Sequence, residues 1–445
     1  MSVNKTFHLV SLGCPKNLVD SEVVYGLLEE GGWQGMDDPE AASVLMINTC
    51  GFIQPAVEES IDEILQLAVH KSNDVEKKLV VIGCLVQRYR DKLEAELEEV
   101  DLFVGTEGVP QVVTLLDNLI GGKQNSSLVL ADPFLMSSVL PRKRSTPVHR
   151  AWLKITEGCD NRCSYCMIPS IRGRLRSRSE EDLVEEARGL VTGGVRELSL
   201  VAQDLTAYGT DLYGERRLES LVKRLLDETS VDWIRLLYLY PSTIRSELLD
   251  IIGSNSRVVP YLDIPLQHVS SRILKAMNRR YSREDAIGLI TDIRRKIPDA
   301  ALRTTLLLGF PGETEEDVRA VESFLLDMEL DHVGVFGYAN EEGSAAEKLT
   351  PQIDEDEKQA RLERVITLQS EISQRRLKRF VNTVEPVLIE GVSRETDLLL
   401  EGRTRFQAPD IDGCVLINEG ETRSGEIVEV EITEAQTYDL IGRIN

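Results

Sequence analysis

The 445-residue chain lacks any run of about 18 apolar residues, the length a membrane-spanning helix requires. Its opening MSVNKTFHLVSLG also lacks the charged-then-apolar-then-small order of a secretory signal, so the expected location is cytoplasmic. Cations are in deficit. Lys and Arg number 51 against 75 Asp and Glu, a formal net charge of -24, which argues against broad nucleic-acid binding and fits a basic partner. Histidine is scarcer still, at five, and His8, His70, His149 and His332 show no spacing that suggests a ligand set. Nothing in the sequence calls for more than a monomer.

Cysteine is also sparse, seven in all, yet it is not scattered. In a reducing compartment, cysteines placed close together are metal-binding or catalytic rather than disulfide-bonded. Cys159, Cys163 and Cys166 present three thiols in one short loop after an apolar segment, and leave the fourth corner of a tetrahedral site without a protein ligand. Chemistry at a metal needs such an open position, and sulfur alone suits an iron-sulfur cluster better than zinc; the competing reading is a structural zinc turn. A second trio, Cys14, Cys50 and Cys84, closes three apolar runs, each beside Gly or a turn residue. If those runs are parallel strands, ligands gather beyond their carboxyl ends and the three thiols share a crevice; the competing reading is three buried core cysteines. Cys414 has no partner nearby in sequence and reads as a small buried hydrophobe.

Length predicts about three domains, and the pattern of apolar runs places them. The expected class is α/β multidomain. Residues 1–125 alternate apolar runs (6–12, 43–48, 79–82, 101–104) with helical stretches, which predicts a parallel α/β sandwich. Residues 126–148 are expected as a linker whose basic run Pro141–Pro147 is solvated. Residues 149–377 hold six strand-helix units, with strands near 151–156, 197–201, 233–239, 258–264, 302–308 and 332–338. Together with a connecting helix, they predict a partial (βα)6 TIM-like barrel whose active residues collect where strands end. Ser179–Asp182, Ser282–Asp285 and Thr314–Asp317 have the spacing of helix-starting capping boxes. Residues 378–445 alternate apolar and polar residues with turn breaks, predicting a small antiparallel β-barrel; its last 65 residues carry five basic and fourteen acidic side chains, the wrong balance for following a phosphate backbone.

Cys159-x3-Cys163-x2-Cys166, with Tyr165 before the last cysteine, resembles the radical S-adenosylmethionine enzymes. With the amino-terminal trio and the terminal barrel, the whole chain resembles the methylthiotransferases, which join a cluster domain, a radical SAM barrel and a TRAM domain. Ser11–Ser21, Asn48–Ile53, Tyr261–His268 and Ala408–Gly413 are similar to the RimO type, which modifies an aspartate on the twelfth protein of the small ribosomal subunit; the tRNA-modifying MiaB type has Gln-Met where this chain has Pro15-Lys16.

The resemblance implies two 4Fe-4S clusters, one on Cys159, Cys163 and Cys166 and one on Cys14, Cys50 and Cys84. It implies S-adenosyl-L-methionine as radical source and methyl donor, a low-potential electron donor, and transfer of a methylthio group to the aspartate β-carbon of a basic ribosomal protein. Cofactor contacts are expected from Tyr165, packing on adenine or simply core, and from Gln203 and Asp204, binding the amino-acid portion or capping a turn. Gln267 and His268 end the fourth barrel strand, and Gly309 and Gly312 either admit a ligand to the backbone or only shape a turn. Arg172, Arg174, Arg176 and Arg178 either meet an anion or form a solvated face. The alternatives are the same chemistry on a tRNA adenosine, which predicts a basic terminal barrel, and a non-catalytic iron-sulfur carrier.

Overall fold

Each apolar run of the first hundred residues is a strand. The computed structural model describes residues 4–74, 76–123 and 127–444. Strands β1 (Thr6–Ser11), β2 (Gln34–Gly35), β3 (Val44–Thr49), β4 (Lys78–Gly83), β5 (Leu102–Gly105) and β6 (Leu128–Val129) form one sheet in the order β2-β1-β3-β4-β5-β6, parallel throughout. Every residue of β3 is buried, as expected of a parallel strand covered on both faces. Leu45, Ile47, Leu79, Val81 and Phe103 alternate onto one face and pack with Val57, Ile64 and Leu67 of the helix Gln54–Asn73. At roughly 2 kcal/mol for each large apolar side chain removed from water, this layer anchors the strand ends. The two-residue strands β2 and β6 were too short to show periodicity, and β6 falls inside the segment expected as linker.

This sheet belongs to the first of two compact units: the chain through Ser145 with Lys154–Asn161 and Cys166–Glu186. The basic run at Pro141 is not simply solvated. Arg142 is buried in the same unit, with Nε 2.7 Å from Glu22 and Nη1 2.6 Å from Glu186, while Lys143 beside it stays exposed.

The second unit comprises Thr146–Leu153, Arg162–Tyr165 and the chain from Ala187 on. Strand β7 (Arg150–Lys154) edges its sheet; the following chain returns to the first unit, where β8 (Thr156–Glu157) and β9 (Arg176–Ser177) make a short antiparallel pair. Then come β10 (Glu197–Val201), β11 (Trp233–Leu236), β12 (Val258–Asp263), β13 (Ala301–Leu308) and β14 (His332–Gly337), giving the order β14-β13-β12-β11-β10-β7, parallel from β10 to β14. All six expected barrel strands are present. Ser282 and Thr314 start their helices with complete capping boxes; at Ser179 the hydroxyl accepts the Asp182 N–H, but the Asp182 carboxylate turns instead to Arg178 and the Ser138 N–H.

Beyond the helix Glu355–Leu377, strands β15 (Val384–Val392), β16 (Leu400–Thr404), β17 (Val415–Glu419), β18 (Ile427–Ala435) and β19 (Leu440–Ile444) close a barrel in the order β15-β16-β17-β19-β18. It departs from the antiparallel expectation in one pairing, since β17 and β19 run parallel. Cys414 precedes β17 rather than lying within it and is half-buried, not sequestered. This small barrel packs on the starts of the larger sheet's strands. Glu197, first residue of β10, is fully buried between Arg235 (2.6 Å) and Arg403 (2.7 Å), and Arg403 also reaches Glu390. Arg150 of β7 pairs with Asp410 at 2.7 Å, and the Tyr261 hydroxyl donates to Asp412 at 2.6 Å. Docking at this end leaves the carboxyl ends of the strands for chemistry.

Candidate functional site

The sheet order makes β1, β3 and β4 consecutive neighbours, and each leads into a cysteine: Cys14 three residues past β1, Cys50 directly after β3, Cys84 directly after β4. Cys14 is also the N-cap of the helix Pro15–Glu30, whose proline in the first turn stops the strand from continuing, and Cys84 opens the helix Cys84–Tyr89. Gly13 has φ +88°, and a Cβ there would lie 2.9 Å from the Cys50 Cβ, so the chain turns hard against the second cysteine. The three thiols feel one another electrostatically. Burial pushes the Cys84 thiol up to about 12, with Arg172 opposing it; burial likewise raises Cys50. A coordinated metal reverses that preference, because a ligating thiol is deprotonated outright.

Arg172 is not part of a solvated face; the anions it meets are carboxylates of the chain itself. It is only 3% exposed and donates from Nε to Cys84 Sγ at 3.2 Å. Its Nη1 donates to Asp20 (2.6 Å) and Glu157 (3.3 Å), and its Nη2 to Asn17 Oδ1 (3.1 Å). Lys154 joins the same cluster through Glu157 at 2.9 Å and through Asp20. Burial would raise the Glu157 carboxyl, but Lys154 and Arg172 hold it down at about 2. Of the other arginines in the run, Arg174 is exposed beside Asp160, Arg176 pairs with Glu107, and Arg178 is buried against Asp182 and Glu186.

Cys159 and Cys166 lie in the first unit and Cys163 in the second. The Cys159 N–H donates to the Gly173 carbonyl at 3.2 Å. Met167 and Ile171, the N-cap and last residue of the short helix Ile168–Ile171 that follows Cys166, pack with Cys84. In the second unit, the Ser164 N–H bonds the Met277 carbonyl, and Asn278 holds the Arg162 carbonyl at 2.6 Å. Arg279 directs Nη1 at Cys163 Sγ, 3.6 Å away, with its guanidinium over the rings of Tyr240 (4.3 Å) and Tyr281 (5.3 Å).

The remaining expected residues divide. Tyr165 packs against Ile273, Met277, Phe310, Tyr338 and Ala346. Asp204 caps the turn Leu205–Ala207, accepting the Thr206 N–H at 3.0 Å and hydroxyl at 2.6 Å; Gln203 precedes it at the end of β10, half-buried. Gln267 has φ +68°, uncommon for a residue with a side chain, while its backbone bridges to Thr305 and Leu307. His268 is fully buried; its Nδ1 accepts the Val269 and Ser270 N–H groups, which places the proton on Nε2, 3.3 Å from Glu313. Gly309 and Gly312, both at positive φ, have their backbone donors engaged by the Glu313 carboxylate and the Pro351 carbonyl. Arg279, Tyr240, Asn17, Asp20, Lys154 and Glu157 were not expected; only their proximity in the fold marks them. Tyr238, with φ +62° just past β11, is a further strained residue where barrel chemistry collects.

Among the described residues, no group of three or more His, Cys, Asp or Glu side chains could hold a single metal ion. Thiolates on one zinc sit about 2.3 Å from it and so crowd together. A sulfur-only set gathered at neighbouring strand ends fits a cluster, which is several atoms wide.

Residues 6–105 match the Uncharacterized protein family UPF0004, residues 153–325 the Radical SAM superfamily and residues 382–444 the TRAM domain. The chain is 56% identical to the ribosomal protein uS12 methylthiotransferase RimO of Desulfotalea psychrophila, over 98% of this chain and 99% of that one. It is 46% identical to the protein of the same name from Geobacter sulfurreducens, over 98% of each. Among solved structures it is similar in fold to the radical S-adenosylmethionine methyltransferase TsrM from Kitasatospora setae with cobalamin and a [4Fe-4S] cluster bound: TM-score 0.56, 16% identity, 75% of each chain. The cobalamin-dependent radical enzyme OxsB, with aqua-cobalamin and S-adenosylmethionine bound, gives TM-score 0.54 at 11% identity, covering 82% of this chain and 56% of that one.

Proposed function

The chain belongs to the RimO family of ribosomal protein uS12 methylthiotransferases, and from this premise we propose that it transfers a methylthio group to the β-carbon of an aspartate on that protein. When bound, S-adenosylmethionine and two 4Fe-4S clusters supply hydrogen abstraction, sulfur and methyl group. The chain's own part is to hold and orient them. Cys159, Cys163 and Cys166 ligate the radical-generating cluster through three sulfurs, and Cys14, Cys50 and Cys84 ligate the second. One observation carries this reading: three adjacent parallel strands each end in a cysteine, in a chain that also holds a complete C-x3-C-x2-C motif.

Residues 1–125, 149–377 and 378–445 act as cluster, radical and TRAM domains, with 126–148 between them. Tyr165, Gln203, Asp204, Gln267, Gly309 and Gly312 line the S-adenosylmethionine site, the last two without their N–H groups, which are already bonded. The formal charge of -24 suits encounter with a basic ribosomal protein. No helix among the described residues is long and apolar enough to cross a membrane; the enzyme works in the cytoplasm as a monomer with a low-potential electron donor.

Reconstituted anaerobically and given S-adenosylmethionine and reductant, the protein is expected to form 5'-deoxyadenosine and to add a methylthio mass to uS12 but not to unmodified tRNA. No 5'-deoxyadenosine would leave a non-catalytic carrier; modified tRNA would transfer the substrate to RNA.

A further inference from the structure

Buried among Asp20, Glu157 and Asn17, Arg172 donates from Nη1 to both carboxylates and from Nη2 to the amide, and its Nε–H meets Cys84 Sγ at 3.2 Å. We infer that Arg172 is a positioning residue for the cluster on Cys14, Cys50 and Cys84, fixing the Cys84 sulfur and raising that cluster's reduction potential through an N–H···S bond. The inference rests on the proposed ligation by Cys84.

Charge balance isolates the effect. Arg172 and Lys154 are matched by Asp20 and Glu157 in one buried network, so the local net charge is near zero and the directed hydrogen bond is the asymmetric element. Hydrogen bonds to cluster sulfurs stabilise the more negative, reduced state, and partners that orient a ligand tune the centre it holds. Packing gives the bond its rigidity. Met167 and Ile171 press on Cys84, so the segment that starts at Cys166 delivers Arg172 to its sulfur in a fixed register. A lysine there could keep the charge, but its donors radiate from a single nitrogen and could not reach carboxylate, amide and thiolate from three separate positions as the guanidinium does.

The test uses the full-length chain with Cys159, Cys163 and Cys166 replaced by alanine, so that iron reports on the other trio alone. After anaerobic reconstitution, the cluster's midpoint potential is read by EPR-monitored redox titration. Arg172→Lys is expected to shift the midpoint to more negative potential, and Arg172→Gln, which also loses the charge, to shift it further. Asn17→Ala, which frees Nη2 and alters no charge, is expected to give a smaller shift of the same sign even if the Arg172 variants fail to fold. Variants that bind parental iron at an unchanged midpoint overturn the inference and leave the ligand assignment standing. A triple-alanine background that binds no iron removes the ligand assignment itself.

Discussion

Replacing Glu197 with alanine strips the shared carboxylate from two arginines. Glu197 and Arg235 are fully buried and Arg403 is 6% exposed at its side chain, with bonds of 2.6 and 2.7 Å. Removing one member of a buried ion pair while leaving its partners in place costs about 3–5 kcal/mol. A second route gives a similar size. Burial alone would raise the Glu197 carboxyl, but Arg403 and Arg235 bring it from 4.5 down to about 2, a difference equivalent to roughly 3 kcal/mol. At about 2–4 °C per kcal/mol, the transition of the unit holding both barrels should fall by roughly 6–20 °C in calorimetry. Because the folded value is depressed, the stabilisation is fully present above pH 4.5 and is lost as the pH falls toward 2. Glu197→Gln should therefore lose most of that stability at neutral pH and show a flatter acid limb. An alanine variant within about 1 kcal/mol of the parent at pH 7 would refute the reasoning, because it would mean that water or a rearranged Glu390 compensates the arginines.

Two further substitutions probe other parts of the argument. Arg142→Met leaves Glu22 buried without its arginine and Glu186 with Arg178 as its remaining cation, and should lower the melting transition of the amino-terminal unit by several degrees, read by circular dichroism, whereas Lys143→Met next to it should change little. Gly309→Ala forces a side chain onto φ +75° and brings its Cβ to 2.1 Å from Lys358 Cγ; a loss of about 1–2 kcal/mol or more in chemical denaturation is expected, together with weaker S-adenosylmethionine binding by calorimetric titration.

Legibility in the sequence followed the range of the forces involved. The runs at 43–48 and 197–201 announced strands because a buried parallel strand is apolar along its own length, a local property, and the helix starts at Ser282 and Thr314 were equally local. One cysteine trio was visible because it sits beyond the ends of β1, β3 and β4, the other because its three members fall within eight residues of sequence. What stayed hidden was the fate of the arginines. The run holding Arg142 read as solvated and that holding Arg172 as either solvated or anion-binding, and only partners 120 and 152 residues away in sequence, Glu22 and Asp20, decide that both side chains are buried. The parallel pairing of β17 with β19 was hidden for the same reason, since a two-residue period fixes faces but not strand direction.

The hydrogen-bonded ladder joining β1, β3 and β4 has a thermodynamic consequence for the cysteines it carries. Bringing three distant points of a flexible chain together has an entropic cost that rises with the loops enclosed. Here backbone pairing and the apolar layer around Leu45, Ile47, Leu79 and Val81 have already closed those loops. In a zinc finger the metal organises the polypeptide; in this domain strand pairing and apolar packing themselves bring the three cysteine-bearing strand ends side by side.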